Sequence, residues 1–256
     1  MKVKFTKSGW PALQLMTSDY LTRLSSPIDS FLEDHIVAST HYGIWLGMEE
    51  VGYCSIHQTN LVTQYYLLDQ YKSYGQAIFQ QIKRLESVQA AFVPTADEFF
   101  LAHALDEYKQ IEKQAYFFQM PKALIDLPLA AGVDGRLAQL EDSAFIKANT
   151  GDFFGDLAGE VQRGEIYLID QGQFCVGFGV LVKSKLFPNW ASIGMYTIEK
   201  FRNQGIGRQI IHYLLNKCHQ QGLTAIAGCW YYNHLSKKTL ESAGMYTQTR
   251  LLKIGY

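Results

Sequence analysis

The chain has 256 residues, of which 48% are hydrophobic and 18% are charged, which suffices for one large core or two smaller ones. The formal net charge is −1 and no basic block is visible, so charge gives no reason to expect nucleic acid or a membrane as a partner. No signal peptide is visible and no run approaches the ~18 apolar residues of a membrane-spanning helix, so we expect a soluble, cytoplasmic protein. The four cysteines are scattered without the spacing of metal ligands, so no metal site is predicted.

The order of sequence patterns in the first half of the chain recurs in the second half. Val51–Tyr53 has a counterpart in Val176–Phe178, and Tyr65–Leu68 has one in Tyr196–Ile198. In both halves the second pattern leads through a polar turn with glycine into an amphipathic helix. We therefore predict two halves of similar α/β order, with a single domain and chance similarity as the alternative. Gly75 can be aligned with either of two glycines in the second half, so the register stays open.

Proline and glycine punctuate the stretch from Pro121 to Gly135, which marks it as a boundary. The prediction is a first domain over residues 1–120, a linker over 121–135 and a second domain over 136–256. The second domain is predicted to contain, in order, a helix, a hairpin, a third strand, a helix and a further strand: Gly151–Gln162, Glu165–Asp170 with Phe174–Val182, Ala191–Ile198, Gly207–Cys218 and a strand ending at Trp230.

The segment from Arg202 to Arg208 has the features of a phosphate-binding turn. It follows a strand and precedes a helix, whose first turn offers unpaired backbone N–H groups and the positive end of the helix dipole. Gly205 and Gly207 permit tight backbone dihedrals and close approach of a pyrophosphate, and the two arginines add charge. A third glycine and a distant acid are missing for a dinucleotide fingerprint, and the Gly-Lys-Ser/Thr of a nucleotide-triphosphate loop is absent. A plain tight turn between strand and helix is the alternative.

The spacing Arg202-x-x-Gly205-x-Gly207 resembles the coenzyme A signature of the GCN5-related N-acetyltransferase (GNAT) superfamily. Asn233–Ser236 followed by Leu240–Met245 resembles a second segment of that family, at the expected separation. The resemblance covers roughly residues 151–256. It implies an α/β fold (an α+β mixed sheet), with two GNAT-like domains in tandem, each a mixed, mostly antiparallel central sheet flanked by helices.

The resemblance also implies acetyl-CoA as co-substrate, with the pantetheine arm beside a splayed fourth strand. A backbone N–H near Tyr196 or Thr197 would then stabilise the oxyanion when the amine attacks the thioester directly. Asn233 would bind the pantetheine, although a helix N-cap with Ser236 N–H as donor is an alternative role. The cofactor-binding residues implied are Tyr196, Thr197, Ile198, Arg202, Asn203, Gln204, Gly205, Ile206, Gly207, Arg208, Asn233 and Ser236.

The sequence departs from the family where a tyrosine often protonates the leaving thiolate, because Leu240 stands there. Ser236 is the predicted substitute, with Tyr231 or Tyr232 next. Glu199 is the nearest carboxylate for a general base, and Tyr196 and His234 are the other candidates; water chains serve instead in many relatives.

The turn around Gly75 in the first half satisfies the signature only in part, so this half is interpreted as a degenerate copy that no longer binds the coenzyme. The function predicted is N-acetyl transfer to a primary amine of a small molecule or peptide. The alternatives are a non-catalytic acyl-CoA sensor and a transferase of longer acyl or aminoacyl groups. A monomer or a homodimer is expected, without nucleic acid or membrane partners.

Overall fold

The computed structural model describes residues 2–85, 87–121 and 127–256. The chain divides into two compact units: residues 1–117 with 248–256 form the first unit, and residues 118–247 form the second unit. The last strand, assigned above to the second domain, therefore belongs to the first unit. The domain boundaries stay a prediction, and residues 122–126 of the predicted linker lie outside the described residues.

The described residues form twelve strands and eight helices. The strands are β1 (Val3–Ser8), β2 (Thr40–Leu46), β3 (Glu49–His57), β4 (Leu61–Leu67), β5 (Ala90–Pro94), β6 (Gln110–Gln119), β7 (Val133–Leu137), β8 (Ile166–Gln171), β9 (Phe174–Lys183), β10 (Trp190–Thr197), β11 (Thr224–Trp230) and β12 (Tyr246–Gly255). The helices are α1 (Gln14–Arg23), α2 (Ser30–Val37), α3 (Gly75–Ile82), α4 (Glu98–Ala104), α5 (Ser143–Thr150), α6 (Leu157–Gln162), α7 (Ile206–Gln220) and α8 (His234–Ser242).

The first unit is built on a mixed sheet in the order β1-β2-β3-β4-β5-β12-β6. The pairs β1–β2, β2–β3, β3–β4 and β5–β12 are antiparallel, and β4 and β5 run parallel. The C-terminal strand lies between two strands of the first half: Leu251 pairs with Pro94 and Gly255 with Ala90. A core of alternate strand residues and one face of α3, including Ile78, Phe79 and Ile82, is fully buried, as the periodicity of that helix requires.

The second unit is built on strands in the order β7-β8-β9-β10-β11, again mostly antiparallel with one parallel pair, β10 with β11. Helix α7 buries Ile210, Ile211 and Leu214 against this sheet, and Gly222, with φ +67, follows its end. The predicted fold class, two domains with mixed sheets flanked by helices, is confirmed.

One predicted helix of the second half is shorter than expected. The periodic aromatic and aliphatic residues predict a helix over Gly151–Gln162, but the structure has α6 only over Leu157–Gln162. Gly151 has a φ of +58 and ends the preceding helix, so the chain cannot continue helically through it. Phe153 lies outside any helix, and its ring lies 5.0 Å from that of Tyr196.

In both units a glycine of one strand lies against the backbone of the next strand at an equivalent position, which accounts for part of the internal repeat. A Cβ on Gly52 of β3 would meet the Tyr66 carbonyl oxygen at 2.1 Å, and a Cβ on Gly177 of β9 would meet the Tyr196 carbonyl oxygen at 2.4 Å. In each unit the neighbouring strand therefore bends onto a glycine just before the polar turn. This pairing makes Tyr66 the counterpart of Tyr196.

Candidate functional site

The second unit has an open strand edge ahead of the predicted phosphate turn. β10 pairs with β9 as far as Thr197, but it pairs with β11 only from Trp190 to Ser192. Beyond Ser192 the two parallel strands separate, and no register pair joins them in this fully described segment. The backbone of Ile193–Thr197 thus has one edge available to an extended ligand, which can pair with it like an added strand.

The turn between β10 and α7 presents free backbone donors. Asn203 has a φ of +60 and Gly205, the N-cap of α7, has a φ of +79; glycine adopts such a left-handed conformation without strain. No side chain caps α7, and no hydrogen bond of good geometry ties the amides of Ile206, Gly207 and Arg208 to another described residue. α7 has 15 residues, so these amides form the positive end of a long helix and suit an anion.

The side chains of the turn have distinct partners. Arg202 donates from Nε to the Thr197 carbonyl at 3.2 Å and from Nη2 to the Tyr196 hydroxyl at 3.3 Å. Gln204 donates to the Lys200 carbonyl at 3.1 Å. Arg208 is exposed without a hydrogen bond or ion pair to the described chain, and its Nη2 lies 3.9 Å from where a Cβ on Gly205 would be. Arg208 is therefore the guanidinium left available to a phosphate, whereas Arg202 braces the end of β10.

Gly207 also has a packing role within the chain. A Cβ at this position would come within 3.0 Å of Thr239 Cγ2 on α8 and 3.3 Å of Thr197 Oγ1. The missing side chain lets α7 approach α8 and β10, so it serves packing within the protein. At Gly205 the nearest atom to such a Cβ would be the flexible end of the Arg208 side chain, at 3.9 Å, so the surroundings of this glycine leave room for a ligand.

Tyr196 is held in place by its hydroxyl. The hydroxyl donates to the Asn149 carbonyl at 2.9 Å and accepts from Arg202, and the ring packs beside Phe153 and Phe178. Asn149 and Phe153 are neighbours of the site that no sequence pattern predicts. The aromatic pair Phe153–Phe154 is the one signal in this segment of the sequence. Its residues also fit helical spacing, so the sequence predicts a helix there.

The second segment of the resemblance forms a helix start. Asn233 is the N-cap of α8, and its Oδ1 accepts from Ser236 N–H at 3.0 Å. The capping role considered for Asn233 is therefore present, and its amide Nδ2 has no partner within the described chain. Ser236 is half-buried, and no hydrogen bond engages its hydroxyl in the described structure.

The other catalytic candidates lie at either side of this segment. Glu199 is exposed in a one-turn 3-10 helix, Glu199–Phe201, directly after β10. Tyr231 follows β11, with its ring 5.1 Å from that of Tyr232. Leu240, in the place of the family tyrosine, is buried in the core at 3% exposure, and its hydrocarbon side chain has no proton to donate. Burial raises the pKa of the Cys229 thiol to about 11, which makes this cysteine a poor nucleophile at neutral pH.

The counterpart turn in the first unit is shorter, and one of its amides is engaged. Gly75 approaches His103 of α4 as Gly207 approaches Thr239 of α8, which settles the register between the two halves. Leu68 donates to the Val51 carbonyl as Ile198 does to that of Val176. Between Leu68 and Gly75 the first unit has two residues fewer than the second unit has between Ile198 and Gly207. The shorter segment has no left-handed glycine like Gly205. Its turn is a 3-10 helix, Asp69–Tyr74, and the amide of Gly75 donates to the Lys72 carbonyl.

Family profiles match both halves. The profile of an acetyltransferase (GNAT) domain matches residues 11–121, and that of the acetyltransferase (GNAT) family matches residues 136–245. The chain carries two GNAT domains in tandem. The resemblance inferred from the Arg202 and Asn233 segments is thereby confirmed, and the protein is an acyltransferase of this family.

Solved structures agree with the tandem GNAT fold. A GNAT-family acetyltransferase from Colwellia psychrerythraea is similar over 100% of both chains, with 22% identity and a TM-score of 0.85. A GCN5-related N-acetyltransferase from Sphaerobacter thermophilus has 10% identity and a TM-score of 0.67 over 98% of this chain and 94% of its own. A tandem GNAT protein from the clavulanic acid biosynthesis pathway has 11% identity and a TM-score of 0.58 over 100% of this chain and 98% of its own. No curated protein matches the chain.

Two further properties concern the described residues as a whole. No helix among them is long and apolar enough to span a membrane. They also contain no group of three or more histidine, cysteine, aspartate or glutamate side chains that could hold a metal ion.

Proposed function

We propose that the second GNAT domain transfers an acetyl group from acetyl-CoA to a primary amine of a small molecule or peptide. The observation that carries the proposal is the free amides of Ile206–Arg208 at the start of α7, directly after a strand with an open edge. Coenzyme A combines a pyrophosphate with an extended arm that contains amides. The free amides of α7 can bind the pyrophosphate, and the open strand edge can pair with the arm.

The residues of the turn would hold the coenzyme by their backbone and by one free charge. The amides of Ile206, Gly207 and Arg208 face the pyrophosphate, Gly205 leaves room for it, and the Arg208 guanidinium adds a charge-assisted contact. Asn203 and Gln204 border the same turn. Arg202 acts as a positioning residue, because its hydrogen bonds fix Tyr196 and Thr197 at the end of β10. The pantetheine arm pairs along Tyr196–Ile198, and the Asn233 side-chain amide serves as a further donor to it.

The reaction is direct attack within a ternary complex. The amine nitrogen forms a bond to the thioester carbon, the carbon–sulfur bond breaks, and the thiolate leaves with a proton. A backbone N–H in the Tyr196–Thr197 segment stabilises the negative charge that develops on the carbonyl oxygen. Neither step forms a bond to the enzyme, in keeping with the raised pKa of the Cys229 thiol.

Two proton transfers accompany this chemistry. Ser236, with a half-buried hydroxyl that no described group engages, is the proposed donor to the thiolate, and Tyr231 is the second candidate. Glu199 is the proposed base, receiving the amine proton through water because its side chain is exposed. Tyr196 is a weaker candidate for the base, since its hydroxyl already donates to the Asn149 carbonyl.

Binding calorimetry with acetyl-CoA tests the coenzyme site. Gly205→Asp places a carboxylate at the phosphate turn and a side chain at a φ of +79, so binding should be lost. Gly172→Asp is the matched control, because Gly172 has a φ of +62 with nothing within 4 Å and lies in the β8–β9 turn. Wild-type protein that fails to bind acetyl-CoA at millimolar concentration would refute the proposal.

A non-catalytic acyl-CoA sensor is the second candidate function. The leucine at position 240, where the family has its proton donor, and the exposure of Glu199 favour it. Both candidates predict coenzyme binding, but only the transferase releases free thiol in the presence of an amine. A thiol-release assay over a panel of primary amines separates the two.

A further inference from the structure

The first unit contains a cavity of 280 Å³ that has no part in the proposed coenzyme site. Its lining comes from α1, the end of β4, the Asp69–Tyr74 turn and the start of α4, all within residues 1–117. β4 pairs with β5 only through Leu61 and Val62, so the two strands separate before this point. The cavity therefore opens beside a splayed strand pair, in the place where the second unit has its open edge.

The shortened turn makes this cavity unsuitable for coenzyme A. It lacks the left-handed glycine, and Asp69 puts a negative charge in its first turn. Pockets for drug-sized ligands typically have volumes of roughly 300–1,000 Å³, so this cavity suits a smaller molecule.

A carboxylate in the cavity wall has an unsatisfied oxygen. Asp97 is the N-cap of α4 and is 6% exposed; its Oδ1 accepts from Phe100 N–H at 2.9 Å. Its Oδ2 is buried and has no hydrogen-bond partner among the described residues. The hydrogen bond of the Tyr20 hydroxyl to this carboxyl lowers the pKa of Asp97, but it leaves Oδ2 without a partner. A buried unpaired acceptor is costly unless something donates to it.

The charges around the cavity select the sign of the ligand. Arg23 pairs with Asp19 at 2.7 Å and with Asp69 at 2.6 Å, and Lys72 pairs with Asp69 at 2.9 Å. These two cations are therefore matched by two carboxylates at the rim.

Asp97 and Glu98, which also line the cavity, have no ion-pair partner in the described chain. The uncompensated charge is negative, and a cation is attracted to it. The remaining wall is apolar or aromatic, including Leu24, Leu67 and Phe99.

We propose that this cavity is a second ligand site, which binds a small protonated primary amine with its ammonium group on Asp97 and its apolar part against Leu24 and Leu67. The proposal does not depend on the transfer reaction, because every lining residue lies in the first unit and none belongs to the Arg202–Arg208 turn. The amine supplies the donor that Asp97 Oδ2 lacks and balances the charge of Asp97 and Glu98.

The chain offers a matched control for Asp97. Asp29 is likewise a buried N-cap aspartate, accepting from Leu32 N–H on α2, and it does not line the cavity. Asn caps a helix about as well as Asp, as Asn233 does in the second unit, so Asp97→Asn and Asp29→Asn should both fold. Thermal unfolding verifies this for each variant before binding is measured.

The test is calorimetric titration of the full chain, without acetyl-CoA, at a pH of about 8, where Asp97 is ionised. The probes are benzylammonium and n-butylammonium, with benzyl alcohol and benzoate as neutral and anionic counterparts. At least one ammonium probe should bind saturably, and the alcohol and benzoate should not. Asp97→Asn should weaken this binding at least tenfold, since a charge-assisted hydrogen bond is lost. Asp29→Asn and Gly205→Asp should leave it unchanged.

Three outcomes would overturn the proposal. The first is no binding of either ammonium probe at tens of millimolar. The second is equal binding by wild type and Asp97→Asn, which would place the amine elsewhere, such as at the acceptor site of the second unit. The third is binding of acetyl-CoA that Asp97→Asn abolishes and Gly205→Asp does not. The first two outcomes leave the proposed acetyl transfer unaffected, whereas failure of acetyl-CoA to bind anywhere leaves the amine site unaffected.

Discussion

Gly207, in the first turn of α7, lies against Thr239 of α8. A Cβ on Gly207 would stand 3.0 Å from Thr239 Cγ2, closer than side chains normally approach. The first unit has the same arrangement between Gly75 and His103. In both units, then, the helix after the polar turn touches the helix capped by an Asn or Asp, and glycine permits this contact.

Gly207→Ala should therefore lower the free energy of unfolding by about 1 kcal/mol. Overpacking costs roughly 1–3 kcal/mol, and the better helix propensity of alanine returns about 1 kcal/mol. Thr239→Ser removes the methyl group and keeps the hydroxyl, which donates to the Leu235 carbonyl at 2.9 Å. The double variant should then recover most of the loss in urea unfolding. A Gly207→Ala protein as stable as wild type would show that the contact does not limit packing.

The two arginines of the turn should differ in what they do for binding. Arg208→Gln removes the free guanidinium, so acetyl-CoA should bind roughly tenfold more weakly, with a smaller dependence on salt. Acetyl-pantetheine has no phosphate, and its binding should not change. Arg202→Gln removes the bonds to Tyr196 and Thr197 and should weaken both ligands. Calorimetry at low and high salt checks this, and equal losses of both ligands in both variants would contradict it.

Ser236→Ala should lower kcat by about tenfold to a hundredfold while leaving the affinity for acetyl-CoA within about twofold. General acid catalysis contributes typically 10²–10⁴-fold, and the loss in kcat should lie at the low end because coenzyme A thiolate is a fair leaving group. The Asn233 cap accepts from the backbone N–H of residue 236, so α8 should be unaffected. Tyr231→Phe is the comparison. A larger loss in Tyr231→Phe than in Ser236→Ala would transfer the acid role to Tyr231.

Stability should fall as pH rises through the titration of Asp97. Burial raises the pKa of this carboxyl from 3.8 to about 7, with smaller effects from Tyr20, Glu98 and Lys72. The folded state therefore holds a proton that the unfolded state releases, and the loss of stability develops between a pH of about 4 and about 7.

In Asp97→Asn this loss should be absent. The free energy of unfolding of the variant minus that of wild type should therefore be about 2–4 kcal/mol larger at neutral pH than at acid pH. Asp29→Asn should give a gain that is complete by a pH of about 6, because burial raises the pKa of Asp29 to about 6 and Glu33 and Asp34 add to the effect. Chemical unfolding across this pH range measures both differences. A difference between wild type and Asp97→Asn that does not vary with pH would show that Asp97 titrates normally.

The sequence predicted those features that depend on neighbours along the chain. The β8–β9 hairpin, α7 and the turn at Gly205 follow from periodicity and from glycine conformations that are local. The role of Gly207 could not be predicted, because Thr239 is distant in sequence and approaches only through packing. The same holds for Asn149, whose carbonyl accepts from Tyr196. The helix predicted from Gly151 failed because apolar spacing continued past a residue whose φ of +58 stops a helix.

The place of β12 has a consequence for synthesis on the ribosome. In the first unit this strand lies between β5 and β6, yet it follows the whole second unit in the chain. The sheet that begins at β1 is therefore incomplete while residues 118–247 are being translated, and its unpaired strand edge at β5 persists for that time. The half of the protein that is made first therefore cannot complete its sheet until the last strand of the chain has been made.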